Sequence, residues 1–249
     1  MTFTIIARCP RSGEAGIAIT TVSLAVGGLV PFYTPAGDII ATQAYACAKD
    51  GHVMLQAMLA GDRADAAMAR ARAADPHESY RQFMILARNG DAVAYTGPDC
   101  RPWAGDIVDG DVIVAGNVLA GRQVVEAMHR AYRAAMQETL AERLLRALEA
   151  GRDAGGQALP DGRAIAERSA MIRVLGAGED AGFPVIDLRV DVHPSAVHEL
   201  RRIHAIHAVY ADYATLRDQH APAAPSIVAF EAEQLKKGGV FAERPSCFR

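Results

Sequence analysis

Apolar and polar positions alternate along the chain from its second residue. Residues 2–9 set Phe3, Ile5 and Ala7 against Thr4, Ile6 and Arg8. That period of two, with its β-branched side chains, predicts a half-buried strand. Pro10-Arg11-Ser12-Gly13 is a turn sequence, and residues 15–22 alternate again, so the two segments form a hairpin. Ala25-Val26-Gly27-Gly28 then leads to Val30-Pro31-Phe32, and after Pro35-Ala36-Gly37-Asp38 the run 39–45 predicts another strand. The period lengthens next. Residues 52–60 and 62–74 predict two helices parted by Gly61, with Asp62 as the N-cap of the second and Asp75-Pro76 ending it. Residues 81–88 and 91–96 return to the strand period and are joined by Asn89-Gly90, the strongest short hairpin signal. Residues 97–105 form a loop holding Trp103, and a short strand at 111–115 ends at Gly116-Asn117.

From 123 to about 150 the pattern is helical, with a break near Gln137. Val125, Met128, Tyr132, Leu140, Leu144, Leu145 and Leu148 supply the apolar face. Residues 151–163, rich in Gly, Asp and Arg, predict a solvated loop; 170–175 and 185–190 predict two more strands. His193-Pro194-Ser195 opens a long helix over 196–217, and a short one comes after it around 228–236. Hairpins alternating with helix pairs argue against a doubly wound parallel sheet and predict an α+β layered fold. Two antiparallel sheets face to face between helix layers, a four-layer αββα sandwich, would bury about eight strands on both faces. No linker separates two halves, so residues 1–220 are expected as one domain, with 221–249 an extension packed on it or mobile.

Composition removes several classes of function. The chain is 51% hydrophobic with a net charge of -3, so it can build a core but presents no basic footprint for nucleic acid or anionic lipid. No apolar run approaches the roughly 20 residues of a membrane span, and the start of the chain has no targeting character. A cytoplasmic location is expected. Cys9, Cys47, Cys100 and Cys247 contain no C-x-x-C pair, and neither Walker-type nor G-x-G-x-x-G phosphate loops occur. His204 and His207 share a helix face without the H-E-x-x-H partner set, so no metal site and no cofactor is expected.

One device stands out at the start of the chain. If Met1 is removed, which small residues such as Thr2 favour, the chain begins with a threonine whose own free amine can activate its hydroxyl. An α-amino group titrates at about 7.7–8.0, near the value wanted of a base at neutral pH. The bland alternative is a chain that simply starts Met-Thr and enters a strand. With Met1 attached the Thr2 nitrogen is an amide and cannot serve.

Several segments in order carry a likeness: the opening Met1-Thr2-Phe3-Thr4-Ile5-Ile6-Ala7-Arg8, Leu24-Ala25-Val26-Gly27, Ala41-Thr42-Gln43-Ala44, and Thr96-Gly97 with Cys100 and Trp103-Ala104-Gly105. Gly116-Asn117-Val118-Leu119-Ala120-Gly121 and Asp187-Leu188-Arg189-Val190-Asp191 with His193-Pro194 continue it. Over roughly residues 1–200 the chain resembles domain-of-unknown-function family 1028, which is grouped with the N-terminal-nucleophile (Ntn) hydrolases. The resemblance implies an αββα sandwich and an N-terminal threonine nucleophile, placed at Thr2. Cys9 departs from it where an acidic residue is expected before Pro10, and Arg168 departs where an uncharged glutamine is usual.

The expected chemistry is hydrolysis of an amide-type C–N bond in a small non-peptide substrate through a threonine acyl-enzyme. Asn117, at the end of its strand, can donate to the oxyanion, or be a turn residue tolerating left-handed backbone. Gln43 can hold a polar substrate group, or brace a loop. His193 can face substrate or pair with Asp191 as acid and base, or cap the next helix. Arg8 lies about 20 Å along its strand at about 3.3 Å per residue, too far to support Thr2, and nothing brings Lys49 close. The supporting cation is not identified. A catalytically silent small-molecule or partner-binding protein on the same scaffold is the alternative, and a cysteine enzyme using Cys9 or Cys100 the third. A small-molecule substrate, no nucleic-acid or membrane partner, and a symmetric homodimer complete the expectation.

Overall fold

A computed structural model of the protein describes residues 1–238. In chain order the elements are β1 (Thr2–Arg8), β2 (Ala15–Thr21), β3 (Pro31–Tyr33), β4 (Ile39–Ala44), α1 (Ala48–Leu59), α2 (Ala64–Ala74), β5 (Arg81–Leu86) and β6 (Ala92–Thr96). They continue with β7 (Gly105–Asp109), β8 (Val112–Asn117), α3 (Gln123–Ala134), α4 (Leu140–Asp153), β9 (Gln157–Ala158), β10 (Ala164–Ile165), β11 (Ser169–Leu175), β12 (Pro184–Val190), α5 (Ala196–Gln219) and α6 (Ile227–Lys237). The fold is mixed α/β, with antiparallel pairing throughout the named strands.

One sheet has six strands in the order β12-β11-β2-β1-β8-β7, and another has four in the order β3-β4-β5-β6. Alternate residues of each sheet meet in one buried cluster. Ile6, Ile17, Ile19, Ile113, Ala115 and Met171 come from the first sheet; Ile39, Ala41, Met84 and Leu86 come from the second. The opposite face of β4 and β5 turns Ile40, Phe83 and Ile85 toward Met54 and Ala57 of α1 and Ala67, Met68 and Ala71 of α2. The other face of the larger sheet meets α4. A Cβ at Gly16 would fall 2.7 Å from Leu144, and one at Gly151 would fall 3.2 Å from Phe3, so glycine sets the approach of helix to sheet at both places.

The helix pair α3–α4 breaks where its pattern predicts. Thr139 caps α4, its hydroxyl accepting from the Glu142 amide at 3.3 Å. Three expectations need correction. Asp62 is not an N-cap: Arg63 holds that position without a side-chain cap, and the Asp62 carboxylate pairs instead with Arg70 at 2.7 Å. The loop expected over 97–105 ends in β7, an edge strand whose exposed Asp106 and Asp109 hide its period. The solvated loop expected over 151–163 contains Gln157 and Ala158, both buried, because Gln157 accepts from the Val22 amide at 3.1 Å and β9 pairs with β10.

The chain forms two compact units, Met1–Val197 and His198 onward. In the second, α5 and α6 meet through Tyr213 stacked on Phe230 at 4.3 Å, with the Tyr213 hydroxyl donating to the Pro225 carbonyl at 2.8 Å. The expected extension over 221–249 is seen only to residue 238; the remainder, with Cys247, lies outside the described residues. Among the described residues no helix is long and apolar enough to cross a membrane.

If the inter-sheet cluster carries the stability of the first unit, Ile19→Ala lowers the free energy of unfolding by about 2–5 kcal/mol. Val108→Ala, at a 43% exposed edge position, changes it by no more than about 0.5 kcal/mol. Urea denaturation of both variants checks this, and equal effects would remove the inter-sheet layer from that role.

Candidate functional site

The inter-sheet face changes character at one end. Residues two apart on a strand share a face, so each apolar inward position fixes its inward neighbour. After Ile6 come Thr4 and Thr2 in β1; after Ile19 comes Thr21 in β2, after Ala115 comes Asn117 in β8, and before Met171 stands Ser169 in β11. In the smaller sheet Ala41 gives way to Gln43, Met84 to Gln82 and Ala94 to Thr96. Pairing aligns these into two rows, Ser169–Thr21–Thr2–Asn117 across one sheet and Gln43–Gln82–Thr96 across the other.

Hydrogen bonds join the rows across the gap. Thr4 donates to Gln43 Oε1 at 2.6 Å, and Gln43 Nε2 donates to Gln82 Oε1 at 2.7 Å. Asn117 Nδ2 donates to the same Gln82 oxygen at 3.1 Å. Gln82 Nε2 in turn donates to Thr96 Oγ1 at 2.8 Å and to the carbonyls of Gly116 and Gly105 at 3.0 and 3.2 Å. A wholly buried glutamine thus satisfies both its acceptor and its donor groups, as buried polar groups must.

Thr2 begins the strand that lies between β2 and β8, opposite Asn117. It is 5% exposed; its hydroxyl donates to Thr21 Oγ1 at 3.2 Å, and the Thr21 hydroxyl donates to the Met1 carbonyl. Burial, and then repulsion from the Arg101 guanidinium, push the Met1 amine down to about 6, against a smaller opposing effect of Cys100. Arg101 itself is exposed, and its carbonyl accepts from the Val118 amide at 3.2 Å, next to Asn117.

Backbone strain gathers at this same end. Ala25, Ala44 and Val118 have left-handed φ values of 52°, 71° and 54°, and they are the non-glycine residues so placed among those described. Ala44 comes directly after Gln43, Val118 directly after Asn117, and Val26, next to Ala25, donates its amide to Ser169 Oγ at 3.2 Å. Each such residue costs of order 1–3 kcal/mol and persists only where the surroundings hold it. Asn117 is therefore not the left-handed turn residue; it is the last extended residue of β8. Behind Gln82, on the outer face, Arg81 donates to Asp75 at 2.7 Å and to the Tyr45 carbonyl at 2.5 Å, fixing the chain after Ala44. The Arg81 hydrogen bond leads the effects that hold Asp75 down to about 2, while burial and then Asp75 push its neighbour Asp50 up.

Two of the expected site residues, Thr2 and Asn117, come together in register. Gln43 joins the network with both ends of its amide engaged between the sheets, bonded to two strand residues and to no loop side chain among the described residues. His193 does not join it: its Nδ1 accepts from the Ser195 amide at 3.1 Å at the entry to α5, and Asp191 pairs with Arg189 at 3.1 Å. Arg8 reaches the carbonyls of Gly13 and Gly37 at the far end of β1. Lys49 stands exposed on α1. Of the cysteines, Cys100 donates to the Arg81 carbonyl at 3.2 Å and burial pushes its thiol up, away from thiolate chemistry. No group of three or more His, Cys, Asp or Glu suited to a metal ion occurs among the described residues.

Gln82, Thr4, Thr21 and Arg101 were not visible as site residues in the sequence. The available signal was a polar side chain at a core-facing position of a strand. Only the packing of one sheet on the other tells which face that is.

Over residues 2–200 the chain matches the model of a family of unknown function, DUF1028. It belongs to that family. A solved DUF1028 structure, protein SPO2555 from Silicibacter pomeroyi, is similar at 29% identity and a TM-score of 0.73, covering 84% of this chain and 89% of that one. Two weaker likenesses each have 10% identity and a TM-score of 0.43. They are to HslV from Trypanosoma brucei, covering 70% of this chain and 99% of that one, and to a Gly-1 mutant of Anbu from Hyphomicrobium sp. strain MC1, covering 85% and 96%. At that score they carry no argument. No curated protein matches the chain in sequence.

Two measurements test the site of this DUF1028 chain. Gln82→Met keeps the volume but strands the donors of Gln43 and Asn117, and lowers the free energy of unfolding by about 1–3 kcal/mol or more; an unchanged denaturant midpoint would contradict the network. The Met1 amine is neutral in the folded chain and protonated in the unfolded one between about pH 6 and 8. Stability therefore rises with pH across that window and levels above it. Nα-acetylation abolishes the rise in melting temperature, and a rise that survives acetylation has another source.

Proposed function

We propose that the protein is an N-terminal-nucleophile amidohydrolase, with Thr2 as nucleophile after loss of Met1 and a small amide-type substrate. The reading carries with it the αββα order of such enzymes: α1 and α2 on one sheet, the two sheets face to face, α3 and α4 on the other. The separate packing of β4–β5 against α1 and α2, and of β1 and β2 against α4, supports that order. The observation that carries the proposal is a threonine at position 2, opposite Asn117, where both inter-sheet faces turn polar together.

In this mechanism Thr2 Oγ attacks the carbonyl carbon while the Thr2 amine takes its proton. The environment that depresses the Met1 amine, burial and the Arg101 charge, would act on a Thr2 amine a residue away and keep it neutral near pH 7. Arg101 is the cation the sequence did not reveal. Negative charge then develops on the carbonyl oxygen. The second Nδ2 hydrogen of Asn117, whose amide plane is fixed by Gln82, is a donor for it, with a neighbouring backbone amide as the other. Collapse of the tetrahedral species breaks the C–N bond, the leaving nitrogen takes the proton from the amine, and water cleaves the Thr2 ester by the same steps reversed. A homodimer of cytoplasmic location is the setting we propose for it.

The test is made on the chain lacking Met1, verified by intact mass. Release of ammonia or amine from a panel of small amides falls at least about 100-fold in Thr2→Ala, with unchanged melting behaviour. Thr2→Ser retains activity, and peptide mapping finds the trapped acyl group on Thr2. Native protein that keeps Met1 favours the alternative, a binding protein on the same scaffold. Activity that survives Thr2→Ala ends the threonine mechanism.

A further inference from the structure

At the opposite end of β1 lies a charge with no carboxylate beside it. Arg143, on α4, is wholly buried. Its Nη2 lies 2.7 Å from Met136 Sδ, its Nη1 3.6 Å from Cys9 Sγ, and its guanidinium carbon 3.9 Å from the centre of the Tyr132 ring. Arg143 Nε has no hydrogen-bond partner, and neither has the buried Tyr132 hydroxyl. A guanidinium does not give up its proton in a protein, and a buried charge persists only if something balances it.

The candidates for that balance are few. Asp111 is engaged by Arg133 at 3.5 Å, and Glu138 and Glu142 by Arg146 at 3.0 and 2.6 Å. Glu14 accepts from the Ser12 hydroxyl at 2.7 Å. Tyr132 is held neutral, since burial drives its hydroxyl far upward. Aromatic and thioether contacts stabilise a cation but do not neutralise it. What remains is Cys9, the first residue after β1, 3% exposed at the start of the turn to β2.

We propose that Cys9 is carried as a thiolate and that Cys9 and Arg143 form a buried sulfur–guanidinium ion pair, joining the β1–β2 turn to the α3–α4 pair. The groups facing the sulfur agree in sign. Burial is the largest effect and raises the thiol, but the backbone amides of Ser12 and Arg11 and then the Arg143 charge act against it, and the balance falls below the ordinary thiol value. Around them stand Arg133 from α3 and Asp111 from the β7–β8 turn, already paired with each other. Thiolate ionisation is thus a pH-sensitive fastening, set at the end of the molecule remote from Thr2.

The full chain under reducing conditions tests the pair. The thiolate absorbance of wild type minus that of Cys9→Ser titrates below about 8.5, the ordinary thiol value; a difference that emerges only at or above that value overturns the proposal. Stability supplies an independent readout. A lowered acid pKa in the folded state adds stability that is complete above the unfolded value and lost as pH falls through the folded one. Cys9→Ser therefore melts at least about 4 °C below wild type near pH 8, with the gap closing as pH falls. Cys9→Asp, which supplies an anion in place of the sulfur, melts at or above Cys9→Ser plus that difference. Should Cys9→Ser melt as high as Cys9→Asp, Arg143 needs no counter-ion from residue 9 and the proposal fails.

Discussion

The register of β1 is the constraint on which everything else rests. Because side chains alternate with a period of two, a slip of one residue would turn Thr2, Thr4 and Ile6 away from the other sheet and bring Phe3, Ile5 and Ala7 inward. The chain prevents this from both sides. Ile5 and Phe3 fill the face packed on α4, Ile6 fills the inter-sheet layer, and β2 and β8 bind both edges of the strand. A strand locked in this way holds the Thr2 oxygen in one place.

Packing also supplies the free energy that the polar end consumes. Three left-handed residues and a glutamine sharing one oxygen between two donors would not hold together on their own. They persist because Gln43, Gln82 and Asn117 each continue a strand whose next inward residue is alanine or methionine, with Ala44 and Val118 directly following two of them. Apolar burial of a single isoleucine-sized side chain contributes roughly 1.5–3 kcal/mol, comparable to the strain at one such position. Core and site are therefore one layer read in two directions, not two separate parts.

Much of this is legible in the sequence. The β1–β2 and β5–β6 hairpins, the helix pairs and the ending of β8 at Asn117 all come from period, turn residues and caps. The features that escape it do so for definite reasons. β7 is an edge strand with Asp106 and Asp109 facing solvent, so its alternation lacks an apolar partner set, and β9 is two residues long. Asp62 looks like a cap because sequence does not show that Arg70 claims its carboxylate. Gln82 looks like an ordinary strand residue, since its weight comes from pairing with Gln43 and Thr96 and from a sheet distant in sequence. Arg101 sits in a loop whose nearness to the start of the chain is set only by the pairing of Thr2 with Asn117.

The seating of Thr2 on an inner strand, with exposed connections around it, sets a fixed framework beneath a variable rim. Substitutions in the segments that carry Ala25, Ala44 and Arg101 can reshape the surface around Thr2, while its hydroxyl stays where the sheets hold it. A lineage built on this plan can vary its loops without disturbing the strands beneath them.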